Sequence, residues 1–151
     1  MQAKGWLIVA VAVTLLAGFF AWEWFLSPRA RIQHTLSELA EAAEATDVER
    51  FVSHLADDYH DYLHPTAEAL AGRLAEGFAR VDRTNVTVSA VDVAVTGEAA
   101  TARFDLVVVA IRGEERYVVL GTPFEPEKVT ASFVREADGW KIRSVERRLS
   151  E

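Results

Sequence analysis

Hydrophobic and polar positions divide the chain into three stretches with different spacing. Residues 5 to 22 are apolar except for Thr14, residues 29 to about 81 carry apolar side chains at every third or fourth position, and residues after 84 alternate. The second spacing is typical of amphipathic helices and the third of strands. Helices followed by strands predict an α+β domain.

The apolar run predicts a transmembrane helix. As a helix with a rise of ~1.5 Å per residue, residues 5 to 26 would reach about 33 Å, enough to cross a hydrocarbon core of ~30 Å. Trp6 lies near one end of this run, and Trp22 and Trp24 lie near the other, as in the aromatic belts of membrane interfaces. A cleaved signal peptide is the alternative, but the end of the run lacks a small-x-small cleavage site.

Proline at position 28 ends the apolar run, because proline interrupts helices. This break divides the chain into an anchor, residues 1–27, and a domain, residues 28–151. We therefore expect a single-pass membrane protein. Lys4 gives the short N-terminal tail a signal-like positive charge, which favours a domain outside the cytoplasm.

Three helices are predicted at the start of the domain. The first covers residues 29 to 45, and the second begins near Val48, where Asp47 can cap it, and ends at Pro65 at the latest. Thr66 can cap the third helix. The inner faces of the three helices would hold Ile32, Leu36, Leu39 and Ala43; Phe51, Val52, Leu55 and Tyr59; and Leu70, Leu74, Phe78 and Val81.

Four or five antiparallel strands are predicted after residue 84, with turns at 96–99, 112–114 and 137–139. In the stretch NVTVSAVDVAV, Val86 and Val88 fall on one face of a regular strand, whereas Val91, Val93 and Val95 fall on the other. A slip of one residue reverses every later side chain unless a bulge compensates for it. We therefore expect a long, bent strand with a bulge near Ser89 and Ala90.

Composition excludes several classes of function. The formal net charge is −7, which argues against nucleic acid and anionic lipid surfaces as partners, because both require basic patches. The chain has no cysteine, so disulfides, thiolate nucleophiles and cysteine-ligated zinc are excluded. Half of the residues are hydrophobic, which is sufficient for a packed core.

Four local patterns resemble the NTF2-like superfamily, which includes SnoaL-like domains and has a cystatin-like cone. They are EATDVERFVSHLADDY, PTAEALAGRLAEGF, VTVSAVDVAVTGEAATARFD and READGWKIRSVE, and the resemblance covers residues 30 to 149. It implies a cone of three helices packed on a bent antiparallel sheet of four to five strands. It does not imply an activity, because unrelated functions share this fold.

The stretch HLADDYHDYLHPT, residues 54 to 66, contains the densest group of chemically active side chains. On a helix, Asp57, His60, Asp61 and His64 would share one face, and the two histidines would have the spacing of zinc ligands. The same geometry describes the solvated side of an amphipathic helix whose other side faces the core. Because no third ligand is identifiable, we expect no metal site and no cofactor.

The resemblance implies a cone interior that is a ligand pocket, an active site or a filled core. The candidates for its lining are Tyr59, Tyr62, Phe78, Phe104, Phe133 and Trp140. Asp58 and Tyr62 are the candidates for acid/base chemistry in an enzyme of the SnoaL or ketosteroid-isomerase type. We expect instead a membrane-anchored binding or assembly module without catalysis, whose apolar cone can hold a small ligand.

The strand LVVVAI predicts a covered outer sheet face. Val107, Val109 and Ile111 lie on the face that does not fill the cone. Two alternatives remain for what covers this face: another part of the same chain, or a second copy of the protein. The resemblance implies that sheet-to-sheet homodimers are common.

Overall fold

The computed structural model describes the backbone of residues 3–147 and the side chains of residues 8–22 and 27–147. The described chain folds into an α+β arrangement of helices against one sheet. The helices are α1 (Ala3–Leu26), α2 (Pro28–Glu44), α3 (Val48–Val52) and α4 (Ala67–Phe78). The strands are β1 (Leu55–Asp61), β2 (Arg83–Thr96), β3 (Ala99–Arg112), β4 (Glu115–Leu120), β5 (Glu127–Glu136) and β6 (Gly139–Arg147).

The sheet is mixed and has six strands in the order β1-β6-β5-β3-β2, with β4 also paired to β3. All pairings are antiparallel except that of β1 with β6, which is parallel. The prediction of four or five antiparallel strands was therefore wrong in one respect. It missed β1, a strand at the edge of the sheet.

The sequence predicts that the segment of β1 belongs to the second helix. That helix ends at Val52 instead of near Pro65, and the backbone N–H of Ile142 donates to the carbonyl of His54 at 2.9 Å. Leu55 then pairs with Ile142 in the sheet. Pairing with β6 places Leu55, Ala56 and Tyr59 where they are buried, so tertiary context overrides the helical spacing of the sequence.

The predicted bulge in β2 is confirmed. The register between β2 and β3 shifts between Ser89 and Asp92, and Ala90 has a positive φ of 51°. As a result, Val88 and Val93 both belong to the core formed on the concave face of the sheet. The bulge lets valines from both halves of this long strand pack on the same face.

The core lies between α2 and the concave face. Ile32, Leu36 and Leu39 of α2 are buried there against residues of β2, β3, β5 and β6. The predicted caps are confirmed, because the side chain of Asp47 accepts a hydrogen bond from Arg50 N at 3.0 Å and that of Thr66 from Ala69 N at 3.1 Å. Both caps satisfy backbone donors at the start of a helix.

The predicted membrane span is not supported. Among the described residues, no helix is long and apolar enough to cross a membrane, which overturns the expected single-pass membrane localisation. The side chains of residues 5–7 and 23–26, which belong to the predicted span, lie outside the described part of the chain.

Candidate functional site

The cone contains a cavity of about 440 Å³ between the concave face of the sheet and helices α2, α3 and α4. Small residues leave this space open, including Ala40 and Ala43 of α2, Gly77 of α4 and Ala110 of β3. Larger apolar side chains complete the wall: Leu36, Leu39, Phe51, Leu74, Phe78, Val81, Val86, Val88, Phe104, Leu106, Val108, Val119, Leu120, Val129, Ile142 and Val145. Three of the four predicted inner positions of the third helix, Leu74, Phe78 and Val81, therefore face this cavity, and Leu70 packs against the core instead.

Polar groups are scarce around this cavity. Among the described residues that line it, only Arg73 and Thr84 have polar side chains. The Thr84 hydroxyl donates to the carbonyl of Ala43 at 2.7 Å, and the side chain of Arg73 is 72% exposed. No described carboxylate, histidine or tyrosine lines the cavity, so its wall offers no group suited to abstract a proton at neutral pH.

A second, polar groove of about 1020 Å³ lies between α2, the segment that leads into β1 and the β5–β6 hairpin. Buried Trp140 forms part of its wall, next to His34, Glu38, His54 and Lys141. Its described lining also includes Arg31, Asp57, Glu136 and Asp138, so the groove combines an apolar surface with two imidazoles, four carboxylates, an amine and a guanidinium.

Glu38 lies between the two histidines of the groove. Its carboxylate oxygens are 3.5 Å from His54 Nε2 and 3.6 Å from His34 Nε2. Burial lowers the pKa of His54, and this outweighs the opposing influence of Glu38. His54, whose side chain is 17% exposed, is therefore neutral at pH 7 and able to accept a proton.

Lys141 holds the edge of this groove. Its Nζ donates to the carbonyl of Ser53 at 2.5 Å and lies 2.9 Å from a carboxylate oxygen of Asp138. These contacts connect the β5–β6 hairpin to the segment that leads into β1. They also keep a positive charge near His54, which opposes protonation of the imidazole.

The predicted lining residues are divided among different environments. Phe78 and Phe104 line the cone cavity, and Trp140 lines the polar groove. Tyr59 and Phe133 are buried in the core and line neither space. These five residues thus do not form one pocket.

The acid/base candidates of the sequence lie outside both spaces. Tyr62 is 99% exposed, so its expected position inside the cone was wrong. Asp58 is exposed and its carboxylate lies 3.0 Å from Arg143 Nε. Both predictions failed because they assumed that a helix directs these side chains inward, whereas the segment is an edge strand and the loop after it.

The zinc spacing of His60 and His64 also disappears with the helix. His60 lies on β1, and His64 lies in the loop after it, where its Nδ1 is 3.0 Å from Asp61 Oδ2. Within the described residues, no group of three metal-ligating side chains is arranged to hold a metal ion. The density of polar residues in this stretch instead reflects a loop that closes on Asp61.

Sequence reasoning missed the groove residues because they come from distant positions. Glu38, His54 and Lys141 belong to α2, the loop before β1 and β6, and no spacing rule connects them. The open space inside the cone had one signal in the sequence. Gly77 interrupts the predicted inner face of the third helix, and a glycine inside a helical pattern costs about 1 kcal/mol relative to alanine.

Comparison with protein families finds a match to the SnoaL-like domain over residues 24–146. A comparison with curated proteins gives no match. Several solved structures share the fold. One, from Novosphingobium aromaticivorans and provisionally called an aromatic ring hydroxylase, has a TM-score of 0.72 and 14% identity, with 83% of this chain and 91% of that chain covered.

Two further structures are similar. An NTF2-like protein with a cystatin-like fold, also from Novosphingobium aromaticivorans, has a TM-score of 0.67 and 19% identity, with 90% of each chain covered. A protein of the NTF2-like family from Streptomyces avermitilis, provisionally called a dehydratase, has a TM-score of 0.63 and 20% identity, with 80% of this chain and 95% of that chain covered. Such low identities show the fold alone.

Proposed function

The chain belongs to the SnoaL-like domain family, and we propose that it is a binding module whose cone holds a small apolar molecule. The observation that carries this proposal is the cavity of about 440 Å³ with an almost entirely apolar wall. Ligand pockets in proteins commonly have volumes of ~300–1,000 Å³ and predominantly hydrophobic linings. The absence of acid/base groups from the described wall favours binding over catalysis in this space.

The energetics of an empty cone support the same conclusion. The wall of this space reaches the solvent, since Val119 lines it and is 59% exposed, so water contacts apolar side chains when no ligand is bound. Removing apolar surface from water is favourable by about 25 cal/mol per Å². An apolar molecule in the cone would recover part of this free energy by removing both surfaces from water.

The test is the binding of N-phenyl-1-naphthylamine, a neutral fluorescent probe, to the full chain and to two leucine variants. Gly77 and Gly72 both lie on α4, and a Cβ at either position meets nothing within 4 Å. Gly77 lines the cavity and Gly72 does not. We expect Gly77→Leu to fill the opening and weaken binding at least tenfold, and Gly72→Leu to leave it unchanged.

The matched pair separates binding in the cone from adsorption to other apolar surface. The described side chains of α1 are largely exposed, and they give both variants the same background signal. Leucine favours helix more than glycine, so both variants should fold at least as well as the parent protein. Equal binding by Gly77→Leu and Gly72→Leu would refute the proposal.

A second candidate function is proton transfer in the polar groove. It is favoured by the neutral, largely buried His54, which can accept a proton and whose Nε2 lies 3.5 Å from a carboxylate oxygen of Glu38. The test is proton abstraction from 5-nitrobenzisoxazole, a carbon acid that reports general bases directly. We expect the full chain to catalyse this reaction and His54→Gln to abolish the catalysis. His60→Gln is the control and should keep the activity, because His60 is an exposed residue of β1. Equal rates in these two variants would exclude His54 as the base.

A further inference from the structure

Arg73 provides the charge that the cone cavity otherwise lacks. It lies on α4 four residues before Gly77, so the two positions share one face of the helix. Both line the cavity. The side chain of Arg73 lines the cavity and is also 72% exposed, so it lies where the cavity wall meets the solvent.

The guanidinium is available to a ligand. The one ion pair described for it joins Arg73 Nη1 to Glu76 Oε2 at 3.3 Å, between two side chains that are both largely exposed. Such surface pairs contribute little to stability, and a guanidinium has five N–H donors in a planar fork. A carboxylate that binds two of these donors at once can therefore compete with Glu76.

Apolar surface continues from the cavity toward the solvent on another element. Val119 of β4 lines the cavity and is nevertheless 59% exposed. A ligand in the cone therefore has apolar contacts where the wall reaches the solvent, and the exposed Arg73 adds a positive charge to the same wall. The protein as a whole carries a net charge of −7, so general electrostatics do not attract anions, and the attraction must be local.

We infer that the ligand of the cone is an amphiphilic carboxylate, with its hydrocarbon part in the cavity and its carboxylate on Arg73. This inference rests on the proposed function and adds the chemical class of the ligand. The cavity wall recognises the hydrocarbon by burial, and the guanidinium recognises the anion by paired hydrogen bonds.

Calorimetric titration of the full chain with octanoate and with 1-octanol tests the inference. The two probes share a chain length and differ in charge. Arg73→Gln should weaken octanoate binding about three- to tenfold and leave 1-octanol binding unchanged, since glutamine keeps helix propensity and removes the charge. Glu76→Gln should strengthen octanoate binding, because it removes the competing carboxylate.

Arg80→Gln is the matched control, because Arg80 follows α4, is exposed and does not line the cavity. It should leave the affinity for both probes unchanged. An Arg73→Gln variant that binds octanoate as the parent does, or that loses both probes equally, would overturn the inference and leave the proposed function standing. If neither probe binds the parent protein, and N-phenyl-1-naphthylamine also fails to bind, the proposed function itself falls.

Discussion

Asp61 holds the loop between β1 and α4 closed. Its carboxylate accepts hydrogen bonds from Tyr59 Oη at 2.6 Å and from the backbone N–H groups of Leu63 and His64, each at 2.7 Å. Burial alone would raise the pKa of Asp61, but the hydrogen bonds from Tyr59, His64 and Leu63 hold it below its usual value. Residues 59 to 64, in the stretch with the densest group of chemically active side chains, thus form a structural hydrogen-bond network.

The Tyr59 hydroxyl makes a measurable contribution to this network. Burial and the adjacent Asp61 raise the pKa of Tyr59, so the hydroxyl remains a donor. Tyr59→Phe should lower the free energy of unfolding by about 1–2 kcal/mol, because it removes one hydrogen bond to a charged acceptor that keeps its other donors. Tyr62→Phe, at an exposed position, should change it by less than about 0.5 kcal/mol in the same urea titration. Equal effects would contradict this account.

Asp61 also predicts a pH dependence of stability. Its pKa is lower in the folded than in the unfolded chain, so its stabilisation is fully present above pH ~4 and is lost as the pH falls through the folded value. Asp61→Asn should therefore be less stable than the parent at pH 6, and the difference should shrink toward pH 3. Urea midpoints across this range measure it, and a difference that stays constant would rule out titration of Asp61 as the cause.

The helices and strands that the sequence predicts correctly are those whose signals lie within the element itself. Asp47 and Thr66 cap helices through their own side chains, and the bulge at Ala90 follows from the valine pattern of a single strand. β1 was missed because its partner, β6, lies more than 80 residues later in the chain. A short segment with mixed periodicity takes its structure from such distant pairing, which no local pattern contains.

The end of α2 offers a test at this scale. Thr46 follows the C-cap residue Ala45 with a φ of 54°, and its N–H donates to the carbonyl of Ala43 at 3.0 Å. β-branched residues are strained in this left-handed conformation, which glycine adopts freely. Thr46→Gly should raise the free energy of unfolding by about 0.5–1 kcal/mol, whereas Thr46→Val should not raise it. A thermal denaturation series compares them, and a gain in the valine variant would contradict the explanation.

For the whole molecule, the sequence predicted the cone but not its contents. Aromatic residues were expected to line one pocket, yet Phe133 and Tyr59 fill the core, while small residues such as Ala40, Ala43 and Gly77 leave the cavity open. Which side chains fill a space depends on the distances between elements, and these follow from packing. The apolar residues of the sequence therefore predict that a core forms, but they do not predict where empty space remains within it.

The predicted homodimer would form through the outer face of the sheet. Ile111 is buried within the chain and cannot contribute as expected, whereas Val107 and Val109 are half-buried on the outward face. Val118 of β4 pairs with Val109 and is 64% exposed, so the outer apolar patch consists of Val107, Val109 and Val118. An apolar patch across neighbouring strands is suited to a second copy of the same surface.

Light scattering coupled to size-exclusion chromatography distinguishes this face from α1, whose exposed apolar side chains offer another route to association. We expect the parent chain to have the mass of a dimer and Val118→Lys to have that of a monomer, because each partner would have to bury an unpaired charge. Val13→Lys places the same charge on an exposed position of α1 and should leave the dimer intact. A mass that falls only in the Val13 variant would instead assign association to α1.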